Sequence, residues 1–129
     1  MLFRSKTVVV PQEGYVPPPL VGIWARYPYL HNNSIPSLCD LLTPVKKRTK
    51  KFYQGTSNNP KTDFNSECVG FPVGKKAPKA WSKVNDALID TTKPGLQNIG
   101  HERMILNEDG SEKFSHIQKM ELIEFLKTL

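Results

Sequence analysis

Hydrophobic and polar positions follow a clear period in one place, the C-terminal end of the chain. Ser115 with Gln118 three residues on has the form of a capping box, in which each side chain satisfies the other residue's backbone N–H. Leu122, Phe125, Leu126 and Leu129 then fall at i, i+3, i+4 and i+7, so the spacing predicts a helix over 115–128 with one apolar stripe. A shorter pattern begins at Ser34. With Ser34 as N-cap, Pro36 in the tolerant first turn and Leu38, Leu41 and Leu42 on one face, it predicts a helix within 34–43 that Thr43-Pro44 stops. Residues 1–22 read as an extended lead-in, because positions 6–10 are rich in β-branched side chains and Pro17-Pro18-Pro19 favours polyproline II. Residues 44–114 show no sustained period. They read as ordered loop anchored by Phe52, Tyr53, Phe64 and Phe71, with one helical turn over 83–88. The expected fold class is mainly α with long ordered loops.

Composition narrows this picture. The 129 residues suit one compact domain or part of one; 38% hydrophobic and 23% charged residues are not the signature of a disordered chain, yet they leave little for a core. With 11 Pro and 8 Gly, long helices fit only where these residues are absent. The formal charge of +6 biases the surface toward anionic partners and says nothing about fold. Lys46, Lys47, Arg48, Lys50 and Lys51 form a basic run, but with only Phe52 and Tyr53 to stack beside it, it reads as a solvated loop and not as a nucleic-acid site. No apolar run approaches the roughly 20 residues of a transmembrane span. The apolar stretch at positions 7–10 is also too short for the core of a signal peptide.

Few residues are equipped for chemistry. Cys39 and Cys68 belong to no Cys-x-x-Cys or Cys-x-x-Cys-His sequence, so the chain by itself builds neither a zinc ribbon nor a covalent haem attachment. They are either two separate buried thiols or a disulfide tying the first helix to the loop around Phe64 and Phe71. Of the three histidines, His116 sits in the first turn of the last helix as a surface residue, and His31 lies in a His-Asn-Asn-Ser turn suited to structural hydrogen bonding. His101, after Gly100 in a loop, is either solvated or a ligand. No Ser-His-Asp order, Gly-rich phosphate loop or carboxylate pair stands out.

The run Pro-Leu-Val-Gly-Ile-Trp-Ala-Arg-Tyr-Pro-Tyr-Leu-His-Asn-Asn-Ser-Ile-Pro-Ser-Leu-Cys-Asp-Leu-Leu, which ends at Leu42, resembles the C-terminal haem domain of di-haem cytochrome c peroxidase-like proteins. The likeness continues more weakly through Arg48-x-Lys50-x-Phe52-Tyr53-x-Gly55, Gly100-His101-Glu102 and the terminal Leu-Ile-Glu-Phe-Leu-Lys-Thr-Leu. The resemblance implies a partial cytochrome c-type fold around haem c, periplasmic location, and electron transfer or peroxide reduction as part of a longer haem protein. It places His101 as the distal axial ligand, with Met104 as the alternative. It puts His31, Trp24, Arg26 and Tyr29 around the haem, the arginine suited to a propionate. Through export it also favours the Cys39–Cys68 disulfide. The family's Cys-x-x-Cys-His segment is missing, so the resemblance implies an upstream segment or chain as a partner, together with an electron-donor protein, and a last helix left partly uncovered. The rival expectation is a non-haem basic binding or structural module derived from the same scaffold.

Overall fold

Proline placement decides how the first helix starts. Pro36 disfavours helical geometry at Ile35, and Ile35 instead exchanges backbone hydrogen bonds with Tyr29 (2.7 and 3.2 Å). Helix α1 therefore spans Leu38–Leu41, capped by the Ser37 hydroxyl, which accepts from the Asp40 N–H at 3.2 Å. Ser34, the expected cap, is buried and donates to the Gln97 carbonyl at 3.2 Å. The computed structural model describes Val10, Pro11, Gly14 and residues 16–129. Most of the β-branched part of the expected lead-in lies outside these residues; Pro17-Pro18-Pro19 is exposed and without regular structure.

Helix α2 spans His116–Leu126 and carries the full capping box of Ser115 and Gln118. Its packing face differs from the expected stripe. Ile123 is fully buried, with Met120 and Leu126 half-buried beside it, whereas Phe125 is 57% exposed. Between the helices, β1 (Lys51–Tyr53) pairs antiparallel with β2 (Leu88–Asp90), with Phe52 opposite Ile89. Short 3-10 turns occupy Ile23–Ala25, Val45–Lys47, Gly74–Lys76, Lys79–Lys83 and Glu102–Met104. The helical turn expected over 83–88 thus forms earlier, where Pro78 sets its start, and residue 88 opens β2 instead.

The mainly α expectation does not hold. Among the described residues there are two α-helices, of 4 and 11 residues, and a two-stranded antiparallel sheet. The reason is the frequency of proline and glycine, which leaves the backbone donors of 44–114 to turns, bridges and side-chain acceptors.

Two apolar clusters meet at one residue. Tyr29, Ile35, Leu38, Val69 and Ile123 form the first, bringing α1 and α2 together; Phe52, Phe71 and Trp81 form the second under the sheet. Tyr27 packs against both, with its ring 5.4 Å from Phe64 and edge-on to Phe71 at 4.9 Å. Trp81 lies directly over Gly55, where a Cβ would come within 2.0 Å of the indole. Only glycine fits there.

Cys39 and Cys68 are joined in a disulfide with their Cα atoms 5.0 Å apart. It ties α1 to the loop that delivers Val69 and Phe71 to the core. Closing a loop with a sequence separation of 29 stabilises the native state by about 2–4 kcal/mol on chain-entropy grounds. The double variant Cys39→Ser, Cys68→Ser should lose about this much in a urea titration. A midpoint equal to that of the parent chain would show that the bridge constrains nothing.

Candidate functional site

His101 and Met104, the residues expected as ligands, lie on loop 98–104, which a buried arginine contacts. Arg48 follows the Val45–Lys47 turn and is 2% exposed. Its Nε donates to the Thr43 carbonyl at 2.8 Å and its Nη2 to that of Leu41 at 3.4 Å. Its Nη1 donates to the Gly100 carbonyl at 2.7 Å and also to that of Asn98. Burial lowers the Arg48 pKa, and the nearby charges of Asp40 and Glu102 partly offset this. Arginine remains a cation regardless.

Further contacts hold the loop on either side. Asn98 is buried and its Nδ2 donates to the Thr49 carbonyl at 2.9 Å. Asn32 Nδ2 donates to the carbonyls of Gly95 (3.1 Å) and Gln97 (3.0 Å). Beyond the histidine, Glu102 Oε1 accepts from the Val45 N–H at 3.0 Å. Asp40, whose pKa burial raises against the pull of its Thr49 and Arg48 neighbours, accepts from the Thr49 N–H and hydroxyl and so holds the stretch after Arg48.

His101 stands between these fixed points in the left-handed region (φ 63°), a conformation that costs a non-glycine residue roughly 1–2 kcal/mol. Its ring is exposed, with Nδ1 3.5 Å from the Met104 sulfur, and Met104 is itself 66% exposed. Ile105, buried behind the turn, anchors it. A Cβ at Gly100 would sit 3.7 Å from Leu30, so the turn carrying His31 abuts the loop carrying His101.

The other expected residues lie differently. Tyr29 is buried in the first cluster, its hydroxyl donating to the carbonyls of Ile23 (3.2 Å) and Val69 (3.4 Å). Burial, and secondarily Tyr27, raises its pKa far above the ordinary phenol value. Arg26 donates to the Pro19 carbonyl at 2.9 Å. Trp24, 46% exposed, lines a hollow of about 230 Å³ with Tyr27, Asp63 and Phe64, a lining that includes neither His31, His101 nor Met104. The structure thus brings His101, Met104 and the His31 turn together and leaves Trp24, Arg26 and Tyr29 in other surroundings. Arg48, which the sequence places both in a solvated basic run and in the weaker Arg48-x-Lys50-x-Phe52 likeness, has no predicted role at this loop, and the structure buries it. Its signal was an arginine among lysines, since only the planar fork can serve several carbonyls at once.

By their chemistry these residues offer haem iron a nitrogen or sulfur donor and no covalent attachment. Both thiols are bonded to each other, so neither can form a thioether. Among the described residues no three His, Cys, Asp or Glu side chains converge to hold a metal. An exposed imidazole on a braced loop is nevertheless a suitable haem-iron ligand. The hollow adjoining the loop, about 590 Å³, is lined by Glu102, Arg103, Leu106, Asn107, Glu108 and Lys113, so it is charged.

Residues 14–53 match the family model described as RoxA-like, cytochrome c-like. The match suggests a haem-type redox role; it spans Trp24, His31, Cys39 and Arg48 and ends before His101. Two uncharacterized proteins of Sinorhizobium fredii are similar over nearly the whole chain. Protein y4iJ is 34% identical over 113 residues, 86% of this chain and 17% of that protein. Protein y4iM is 31% identical over 125 residues, 90% of this chain and 27% of that protein. The chain therefore spans less than a third of the length of either relative. No solved structure matches it significantly. No helix among the described residues is long and apolar enough to cross a membrane.

An ionic strap runs behind the loop. Glu112 accepts from Lys119 of α2 and from Lys47 (2.8 Å), joining the last helix to the turn before Arg48. The two ammonium groups, Lys119 foremost, pull its pKa from 4.5 to about 2. Because the folded value is depressed, the strap contributes fully above pH 4.5 and is lost as the pH falls toward about 2. Side-chain carboxyl chemical shifts should show Glu112 titrating near the lower value; a midpoint at the ordinary glutamate value would mean that the strap does not form in solution.

Proposed function

We propose that this chain supplies the distal axial face of a haem c site in a longer cytochrome c-type redox protein, with His101 as the iron ligand. The observation that carries this reading is the exposed imidazole of His101, presented on a loop braced on both sides. The cytochrome c-like match of residues 14–53 supports it, because that segment contains Arg48 and Val45, which hold this loop. In this reading the proximal histidine and both thioethers come from a Cys-x-x-Cys-His segment upstream or on another chain. Haem iron, when bound, supplies one-electron chemistry. The chain's own residues present the axial nitrogen and keep the loop in place. Peroxide reduction fed by an electron-donor protein is the activity this reading assigns to the whole protein, in the periplasm, where the Cys39–Cys68 disulfide would persist.

Met104 offers a second donor on the same turn, 3.5 Å from His101 Nδ1. A haem-bearing Cys-x-x-Cys-His peptide, whose sixth coordination site is open, distinguishes the two. Adding the full chain should convert the peptide to a low-spin spectrum; His101→Ala should abolish the conversion and Met104→Ala should leave it intact. Loss in Met104→Ala alone would move the ligand to the sulfur. No conversion by the parent chain would sink the haem reading and favour a non-haem basic module.

A further inference from the structure

We infer that Arg48 is the positioning residue for His101: its guanidinium, held by carbonyls on two separate segments, fixes the loop geometry that presents the imidazole. This rests on the proposed role of His101 as a haem ligand. The charge of Arg48 is buried, yet its hydrogen bonds go to the carbonyls of Leu41, Thr43, Asn98 and Gly100, and none to a carboxylate. Burying a cation in this way is costly unless its donors are well matched, and a rigid fork of five N–H groups matches several carbonyls as no other side chain does.

The contacts divide the two ends of the guanidinium. One side grips the end of α1 and the turn after it, at Leu41 and Thr43. The other grips Asn98 and Gly100, and Gly100 immediately precedes the left-handed His101. Val45, three residues before Arg48, donates its N–H to Glu102, immediately after the histidine. A short stretch of chain, 45–48, therefore holds both neighbours of His101, Gly100 by its backbone carbonyl and Glu102 by its side-chain carboxylate. Without the fork, the Gly100 carbonyl has no other hydrogen-bond donor among the described contacts, and the left-handed turn is left to its anchors at Glu102 and Ile105. The arrangement has the logic of outer-shell partners at metal sites, which orient a ligand without touching the metal.

The test uses the full chain with the haem-bearing Cys-x-x-Cys-His peptide as probe. Arg48→Met removes all the donors while keeping an unbranched apolar stem, and Arg48→Lys keeps the charge but not the fork. Far-UV circular dichroism and the intact disulfide mass report whether each variant folds. Arg48→Met should raise the concentration needed for half-conversion to low spin by about ten- to a hundredfold, Arg48→Lys should fall between it and the parent, and excess free imidazole should bring all to the same spectrum. A folded Arg48→Met with parental affinity overturns the inference; if that variant does not fold, parental affinity in Arg48→Lys does so. If the parent chain gives no low-spin species, the ligand reading fails and amide exchange judges the brace separately. Faster exchange at His101 and Glu102 in Arg48→Lys, with α2 unchanged, sustains the brace, and equal exchange overturns it.

Discussion

Backbone pairing between segments 36–39 and 68–71 is the contact on which the rest of the structure depends. The Leu38 N–H donates to the carbonyls of Cys68 and Val69, and the Phe71 N–H donates to that of Pro36 at 2.9 Å. The disulfide locks the same junction covalently. Gly70 makes the approach possible, because a Cβ there would lie 2.1 Å from the Pro36 carbonyl oxygen. Once the junction is closed, Val69 falls into the cluster with Ile35, Leu38 and Ile123, and Phe71 into the cluster with Phe52 and Trp81. The described residues form no large sheet or bundle to hold these clusters in register. One crossing point does that work.

Arg48 is the polar counterpart of that junction. It gathers carbonyls that no helix or sheet ladder satisfies, which is how a loop-rich region avoids orphaned acceptors in its interior. Thr49 and Asn98 extend the same arrangement on either side, tying the stretch before β1 to the loop that carries His101. The apolar junction and the polar one share α1, whose Leu38 faces the core and whose Leu41 carbonyl accepts from the guanidinium. The position of His101 is thereby coupled to the packing of the first helix.

The features read correctly from the chain are those whose partners lie within a turn of each other. The Ser115 and Gln118 box needs only residues three apart, so its spacing is sufficient. Ser34 is the cap that the local pattern predicts, and the role goes to Ser37 because Ile35 is committed to Tyr29. The stripe on α2 was misplaced for a related reason. Leu122, Ile123, Phe125 and Leu126 are all apolar, so periodicity alone allows more than one buried face, and packing against Leu38 and Val69 selects Ile123. Tyr29 was expected at a ligand surface and instead points into the core, where the Val69 carbonyl accepts its hydroxyl across 40 positions of sequence.

By itself the sequence determined the capped last helix, the interruptions that keep the middle irregular, the absence of a haem-attachment motif and the pair of cysteines available for one bridge. All follow from local sterics, short-range hydrogen bonding or residue chemistry, which do not depend on the path of the chain. Only the tertiary structure decided that Arg48 is buried while its lysine neighbours are solvated, that Cys39 meets Cys68, and that the turn of His31 touches the loop of His101. Each depends on segments far apart in sequence, brought together by a core whose apolar residues do not by their spacing alone specify their partners.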